Sequence, residues 1–246
     1  MARLDRNEVR RRLEAGAGRG LGALLGADER LVNRQAPPAD GALDPSTPAW
    51  SGPLRAGWPE IRVELDRLVA DGVRLPETDD LVGAHQGAEG RWTTYMLSWY
   101  GTWLEANTRR CPATTALLRR VPDVQVAGFT VLDGHTHLPA HRGPAKSYRW
   151  QMGIRVPEPP GSCRLRVGDD VVEWSDGSTL AFDDRAEHEA WNDADEPRYV
   201  LFVQVPWPVT GLTALAHRGA HRVFATATRR IPRQAAELDR RLNAPR

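Results

Sequence analysis

The sequence predicts a mainly β domain, a sandwich or jelly roll, with helices before and after its strands. Three observations carry this reading. After Pro122 the chain breaks into short runs, Val124–Leu132, Tyr148–Val156, Cys163–Val167, Val171–Trp174, Thr179–Phe182 and Arg198–Val205, each bounded by Gly, Pro or Asp. Short strands at that spacing mark an antiparallel sandwich or barrel. Before Pro122 the apolar residues fall at helical intervals instead, and 246 residues suffice for one domain with an N-terminal extension and a substantial core.

Taken in order, residues 4–15 are Arg-rich with a thin apolar stripe and predict a polar helix, with Asp5 or Asn7 as its cap. Residues 35–53 shift to Pro, Ala, Gly and Ser, the composition of a linker or an irregular wrapping segment. Trp58, Ile61, Leu65, Leu68 and Val69 follow the spacing of an amphipathic helix that Asp71-Gly72 would end. Trp92–Tyr100, rich in aromatic and hydroxyl residues, predicts a strand or strand pair, and Thr114–Arg120 a short helix. Residues 226–246 are basic and helical in pattern. The expected division is therefore an N-terminal helix and Pro-rich segment over 1–53, a β domain with its leading helices over 54–225, and a basic C-terminal helix over 226–246.

Thirty-three Lys and Arg against 32 Asp and Glu give no electrostatic case for a nucleic-acid partner. Cys111 and Cys163 form neither a C-x-x-C pair nor a disulfide framework, as expected of a protein of the reducing cytoplasm. No run of 18 apolar residues exists, and the first residues are charged where a signal peptide needs an apolar core; a cytoplasmic protein without a membrane partner is expected. Most of the nine tryptophans are expected to serve as core.

Two histidines stand out: His141 within Leu138-Pro-Ala-His-Arg-Gly-Pro144, and His188 within Phe182-Asp-Asp-Arg-Ala-Glu-His-Glu-Ala-Trp-Asn192. Imidazole suits Fe(II), and an iron with few protein ligands keeps positions open for a co-substrate and dioxygen. In iron enzymes with two histidines and one carboxylate, the carboxylate often lies two residues after the first histidine. Gly143 occupies that position here, so the carboxylate comes from elsewhere, with Asp183 and Asp184 as candidates, or water or halide takes its place. His137 is a lesser candidate for lining the site and His135 a weaker one, because alternation would align both with His141 but for Pro139. His85, His217 and His221 read as non-catalytic.

Across Trp58–Pro208, Cys111-Pro-Ala-Thr-Thr-Ala-Leu-Leu118, Thr136-His-Leu-Pro-Ala-His-Arg-Gly-Pro144, Gln151-Met-Gly-Ile154, Trp174-Ser-Asp-Gly177 and His188-Glu-Ala-Trp-Asn192 make a chain that resembles the aspartyl/asparaginyl β-hydroxylase family of Fe(II)- and 2-oxoglutarate-dependent dioxygenases. The resemblance implies a double-stranded β-helix with His141 and His188 as iron ligands. It also implies that Arg198 grips the far carboxylate of 2-oxoglutarate with help from Thr130, and that Arg149 and Gln151 contact co-substrate or substrate carboxylates. Gln151 replaces a histidine of the family pattern. The loop after Gly143 is one residue short, and an arginine expected near Ser147 or Tyr148 is missing, which weakens the case for protein-aspartate hydroxylation.

The expected reaction is hydroxylation of an unactivated C–H bond of an amino acid, free, in a peptide or on a carrier, with O2 consumed and succinate and CO2 released. Two alternatives stand beside it: halogenation, which the glycine at 143 permits, and a cupin-type metal protein that does not use 2-oxoglutarate, which Gly134-His-Thr-His137, His188 and Asn192 loosely mimic.

Overall fold

A computed structural model describes residues 6–82, 87–143 and 146–244; His85 and Pro144 lie outside them. The N-terminal helix runs well past its expected end, as α1 (Arg6–Gln35). The Pro-rich segment then wraps the edge of a sheet. Its two-residue β1 (Ala42–Leu43) pairs with the strand at Thr179–Asp183, and its carbonyls at Asp44 and Pro45 accept hydrogen bonds from Tyr148 Oη and Trp150 Nε1. Helices α2 (Ser51–Ala56), α3 (Trp58–Ala70) and α4 (Thr78–Val82) follow. Helix α3 has the expected bounds: Pro59 opens its first turn, and Gly72 takes the left-handed φ of 64° that lets the chain reverse after Asp71.

Next come β2 (Trp92–Trp99), β3 (Thr102–Trp103), α5 (Glu105–Arg110) and α6 (Pro112–Leu118). Eight strands succeed them: β4 (Val126–Leu132), β5 (Thr136–His141), β6 (Ser147–Arg155), β7 (Cys163–Val167), β8 (Asp170–Glu173), β9 (Thr179–Asp183), β10 (His188–Asn192) and β11 (Arg198–Pro206). The chain ends in α7 (Gly211–Ala227) and α8 (Arg230–Leu242). Helix α7 has no counterpart among the expected elements. None of the described helices is long and apolar enough to cross a membrane.

The larger sheet has the order β1-β9-β6-β11-β4-β2-β3, and the smaller has β5-β10-β7-β8, with every pairing antiparallel. Strands β4, β6, β9 and β11 alternate in sequence with β5, β7–β8 and β10 of the smaller sheet, which is the winding of a double-stranded β-helix. Alternation along each strand then creates two apolar layers. One lies between the sheets and includes Leu132, Leu138, Leu165, Val167, Phe182, Ala190 and Val200. The other lies between the larger sheet and the helices, where Ile61, Leu65 and Leu68 of α3 meet Phe129, Trp150, Met152 and Leu201.

The helix-covered layer also buries charge. Glu64 of α3 is 4% exposed, and its carboxylate accepts from the backbone N–H groups of Ala113 and Thr114 at 2.7 and 2.9 Å and from Thr114 Oγ1 at 2.7 Å. Helix α6 begins Cys-Pro-Ala-Thr-Thr and no side chain of its own caps it, so Glu64 satisfies its open N–H groups and complements its dipole. Both cysteines are buried free thiols.

The described chain divides into two compact units, Pro38–Trp207 with Arg229–Arg246, and Met1–Pro37 with Pro208–Thr228. The first holds both sheets; its α8 is tied down by Arg110 to Asp239 at 3.2 Å and by Asn243 to the backbone of Arg74. The second is the pair α1 and α7, where the Gln35 side chain accepts from the backbone N–H of Thr210 at 2.9 Å, just ahead of α7.

Candidate active site

Strands β5 and β10 are neighbours, and their register sets His141 directly opposite His188, with ring centroids 4.2 Å apart. The same local device orients both rings. Nδ1–H of His141 donates to the carbonyl of Pro139 at 2.8 Å, and Nδ1–H of His188 to that of Ala186 at 2.9 Å, each two residues upstream. Both rings therefore present Nε2 as the lone-pair nitrogen. His188 Nε2 is buried without a hydrogen-bond partner, an arrangement that demands an electrophile. Burial, with the charges of Arg149 and His141, pushes the His188 pKa down to about 3, so the ring is neutral and ligand-competent at physiological pH.

Gly143 explains how the pair acquires a carboxylate. A Cβ on residue 143 would fall 1.8 Å from Asp184 Oδ2 and 2.0 Å from its Cγ, so the Asp184 carboxylate fills the space where that side chain would begin. Asp184 is fully buried, ion-paired to Arg149 at 2.9 Å, and joined through its carbonyl to Gly143 N–H at 2.7 Å. Asp183, the other candidate, is committed elsewhere. It receives Arg185 Nε at 2.8 Å and the backbone N–H groups of Arg185 and Ala39 at 3.0 and 3.2 Å. Asp183 ends β9, whereas Asp184 lies in the turn after it and places its carboxylate against Gly143, two residues beyond His141.

Arg198 begins β11 and Thr130 lies on β4, and pairing of Leu132 with Arg198 and Thr130 with Val200 puts both on the face between the sheets. Arg198 is 4% exposed, stacked over Trp174 at 5.6 Å, and its Nε and Nη1 have no hydrogen-bond partner. Burial lowers its pKa to about 10, still far above neutrality. A buried, unpaired guanidinium costs several kcal/mol, so this is a seat for an anion. Trp92 Nε1 donates to Thr130 Oγ1 at 2.7 Å and orients the hydroxyl. Arg149 and Gln151 share the same face of β6. Arg149 Nη2 also reaches Gln204 Oε1 at 3.2 Å, while Arg149 Nε and Gln151 Oε1 are buried without partners.

Other candidates lie elsewhere. Between His188 and Ala190 the pairing with β5 slips by one residue, because β5 carries an extra residue at Pro139-Ala140. Such a bulge turns every side chain beyond it to the opposite face. His137 consequently stacks on Trp191, with ring centroids 5.3 Å apart, and pairs with Glu89 at 3.4 Å, away from the histidine pair. His135 is exposed beside Asp195. Asn192 donates to the carbonyls of Leu132 and Glu196 and accepts from Cys163, so it braces β10. Arg142 reaches the Arg185 carbonyl at 2.8 Å. Trp92 and Trp174 were not among the sequence candidates; indole spacing alone carries no sign of which tryptophan touches a polar site. A cavity of about 250 Å³ lined by Leu65, Leu68, Arg91 and Phe129 lies on the opposite face of the larger sheet.

Comparison with known proteins gives this geometry a family context. A sequence model described as aspartyl/asparaginyl beta-hydroxylase matches residues 55–208. An ornithine lipid ester-linked acyl 2-hydroxylase from Rhizobium tropici is 36% identical over 169 residues, 68% of this chain and 60% of that protein. The human aspartyl/asparaginyl beta-hydroxylase is 28% identical over 179 residues, 65% of this chain and 23% of that protein. The human aspartate beta-hydroxylase domain-containing protein 2 is 33% identical over 129 residues, 48% of this chain and 34% of that protein. The chain thus spans from about a quarter to three fifths of the length of these relatives.

Proposed function

The chain belongs to the aspartyl/asparaginyl β-hydroxylase family, and from that premise we propose that it is an Fe(II)- and 2-oxoglutarate-dependent dioxygenase that hydroxylates an unactivated C–H bond of an amino acid or amino-acid-derived substrate. The observation that carries this reading is the set of buried polar atoms without partners on one inter-sheet face: His188 Nε2, Arg198 Nε and Nη1, and Arg149 Nε. An imidazole pair and a buried cation in one interior match a divalent metal and a dicarboxylate.

His141 and His188, whose Nδ1 atoms are engaged by backbone carbonyls, would hold the iron through Nε2. Once bound, iron and 2-oxoglutarate supply the oxidising chemistry, consuming O2 and releasing succinate and CO2. Arg198 clamps the distal carboxylate, which a planar guanidinium suits, and Thr130, held by Trp92, adds a directed hydroxyl. Trp174 closes the Arg198 side against water. Asp184, ion-paired to Arg149 in the space left by Gly143, would offer a carboxylate to water near the iron. The same negative charge disfavours a halide there, and the buried cation of Arg198 sets the chain apart from a metal cupin that takes no dicarboxylate.

The substrate class is an amino acid carrying a carboxylate, as a small molecule, within a peptide or on a carrier. Arg149 and Gln151 supply the recognising groups; one relative is named for aspartyl and asparaginyl residues, and another for the ester-linked acyl group of a lipid that contains ornithine. An anaerobic titration of metal-free protein with Fe(II) and then 2-oxoglutarate tests the assignment. A visible metal-to-ligand charge-transfer band is expected in the wild type, absent in His141→Ala and shifted to much higher 2-oxoglutarate in Arg198→Ala. No band from folded, iron-loaded protein would overturn it.

A further inference from the structure

Outside the barrel, the α1/α7 unit holds a second group of metal-ligand side chains. Asp28 of α1 and His217 of α7 are 4% and 1% exposed, and His217 Nδ1 lies 2.8 and 3.0 Å from the two Asp28 carboxylate oxygens. His221 lies one turn along α7 from His217, with the two rings edge to face at 4.2 Å. One ligand atom from each of Asp28, His217 and His221 falls within 4.8 Å of the others. Histidines four residues apart share one helix face and can chelate one ion, and tetrahedral zinc ligands stand about 3.3 Å apart at bond lengths of ~2.0 Å. Modest side-chain rotation therefore closes the set.

The surroundings supply an independent argument. Over residues 20–37 and 208–228, where side-chain burial is described, the buried positions of this unit are Asp28, Val32, His217 and Ala220. Where burial is described, a carboxylate–imidazole pair therefore sits at the centre of the contact between α1 and α7, a polar core that a bound metal would complete. Leu31, Leu212, Leu215 and Val223 of the same helices face outward.

We propose that Asp28, His217 and His221 form a divalent-metal site of the zinc class that staples α1 to α7. Two imidazoles and one carboxylate are a donor set for Zn²⁺, with a further position left for water.

The test uses the full chain carrying His141→Ala and His188→Ala, which removes the barrel histidines. This protein is stripped with a chelator, titrated with Zn²⁺ and, separately, with Co²⁺ as a spectroscopic probe, and assayed for bound metal. One equivalent of bound metal, a Co²⁺ visible spectrum of low coordination number, and a rise in Tm with Zn²⁺ are expected. Adding His221→Gln, at a partly exposed position that leaves the Asp28–His217 contact in place, should weaken binding at least about tenfold and abolish the Tm rise. Absence of bound metal from the folded background protein, or binding and a Tm rise unaltered by both His221→Gln and Asp28→Asn, would overturn the proposal. Neither result depends on the barrel's chemistry.

Discussion

Glu64 and Asn107 on one face of the larger sheet, and Arg198, Arg149 and His188 on the other, treat burial in opposite ways. On the helix-covered face, Glu64 spends its carboxylate on three donors and Asn107 donates to the carbonyl of Met96 at 2.8 Å. On the face toward the smaller sheet, Arg198, Arg149 and His188 keep buried nitrogens without partners. A bonded buried group contributes to holding the fold, whereas an unbonded one costs free energy until something binds it. Mutation of Glu64 or Asn107 should therefore cost stability, and mutation of Arg198, Arg149 or His188 should cost ligand binding.

The sharpest way to break this contrast is His188→Ala. Iron binding and succinate release are expected to fall by at least ~100-fold, with the chain still folded by circular dichroism; unchanged metal content would remove the ligand assignment. Next is Arg198→Met, which should raise the 2-oxoglutarate requirement by about 10- to 100-fold, a loss of roughly 1.5–3 kcal/mol. Because it also removes a buried unpaired charge, its Tm should hold or rise. A lowered Tm with unaltered 2-oxoglutarate affinity would make Arg198 structural.

Glu64→Ala should do the reverse. It strands the α6 N–H groups and is expected to cost about 2–4 kcal/mol in urea unfolding, with iron affinity retained by the folded fraction. Gly143→Ala is smaller and more specific. Its Cβ collides with the Asp184 carboxylate, a cost of about 1–3 kcal/mol that Asp184→Gly in the same chain should relieve; no rescue in the double variant would mean that the carboxylate does not fill that space.

The smallest expected effect is at Cys111. Burial, with the nearby Glu64 carboxylate, pushes its thiol up to about 12. It stays protonated through pH 9 and is protected, so thiol reagents should label it only after unfolding. Rapid labelling of native protein would show that the helix-covered layer opens readily.

Much of this arrangement is legible in the sequence. The strand runs from Val124 onward and the apolar spacing of Trp58–Val69 reflect local alternation and periodicity, which a chain displays without its partners. The motifs around His141 and His188 marked the histidine pair on other grounds, through their combined resemblance to a family pattern; the structure adds that each ring is oriented by a carbonyl only two residues away. Other features depend on residues far apart in the chain. The cap that Glu64 places on α6 spans 49 positions, and nothing in Cys-Pro-Ala-Thr-Thr announces it. His217 and His221 read as non-catalytic, and Asp28, 189 positions from His217, gives no local sign of sharing their environment.

By itself, then, the sequence determined the strand-rich domain, its leading helices and two histidines in matching surroundings, because hydrophobic alternation and short-range backbone contacts are written locally. Only the tertiary structure decided that β5 and β10 lie side by side with His141 facing His188, and that an extra residue in β5 sends His137 to the other face. It also decided that Asp184, and not Asp183, enters the space Gly143 leaves. The first two outcomes turn on strand register, where a shift of one residue reverses every side chain, and register is set by pairing between segments that no local pattern connects.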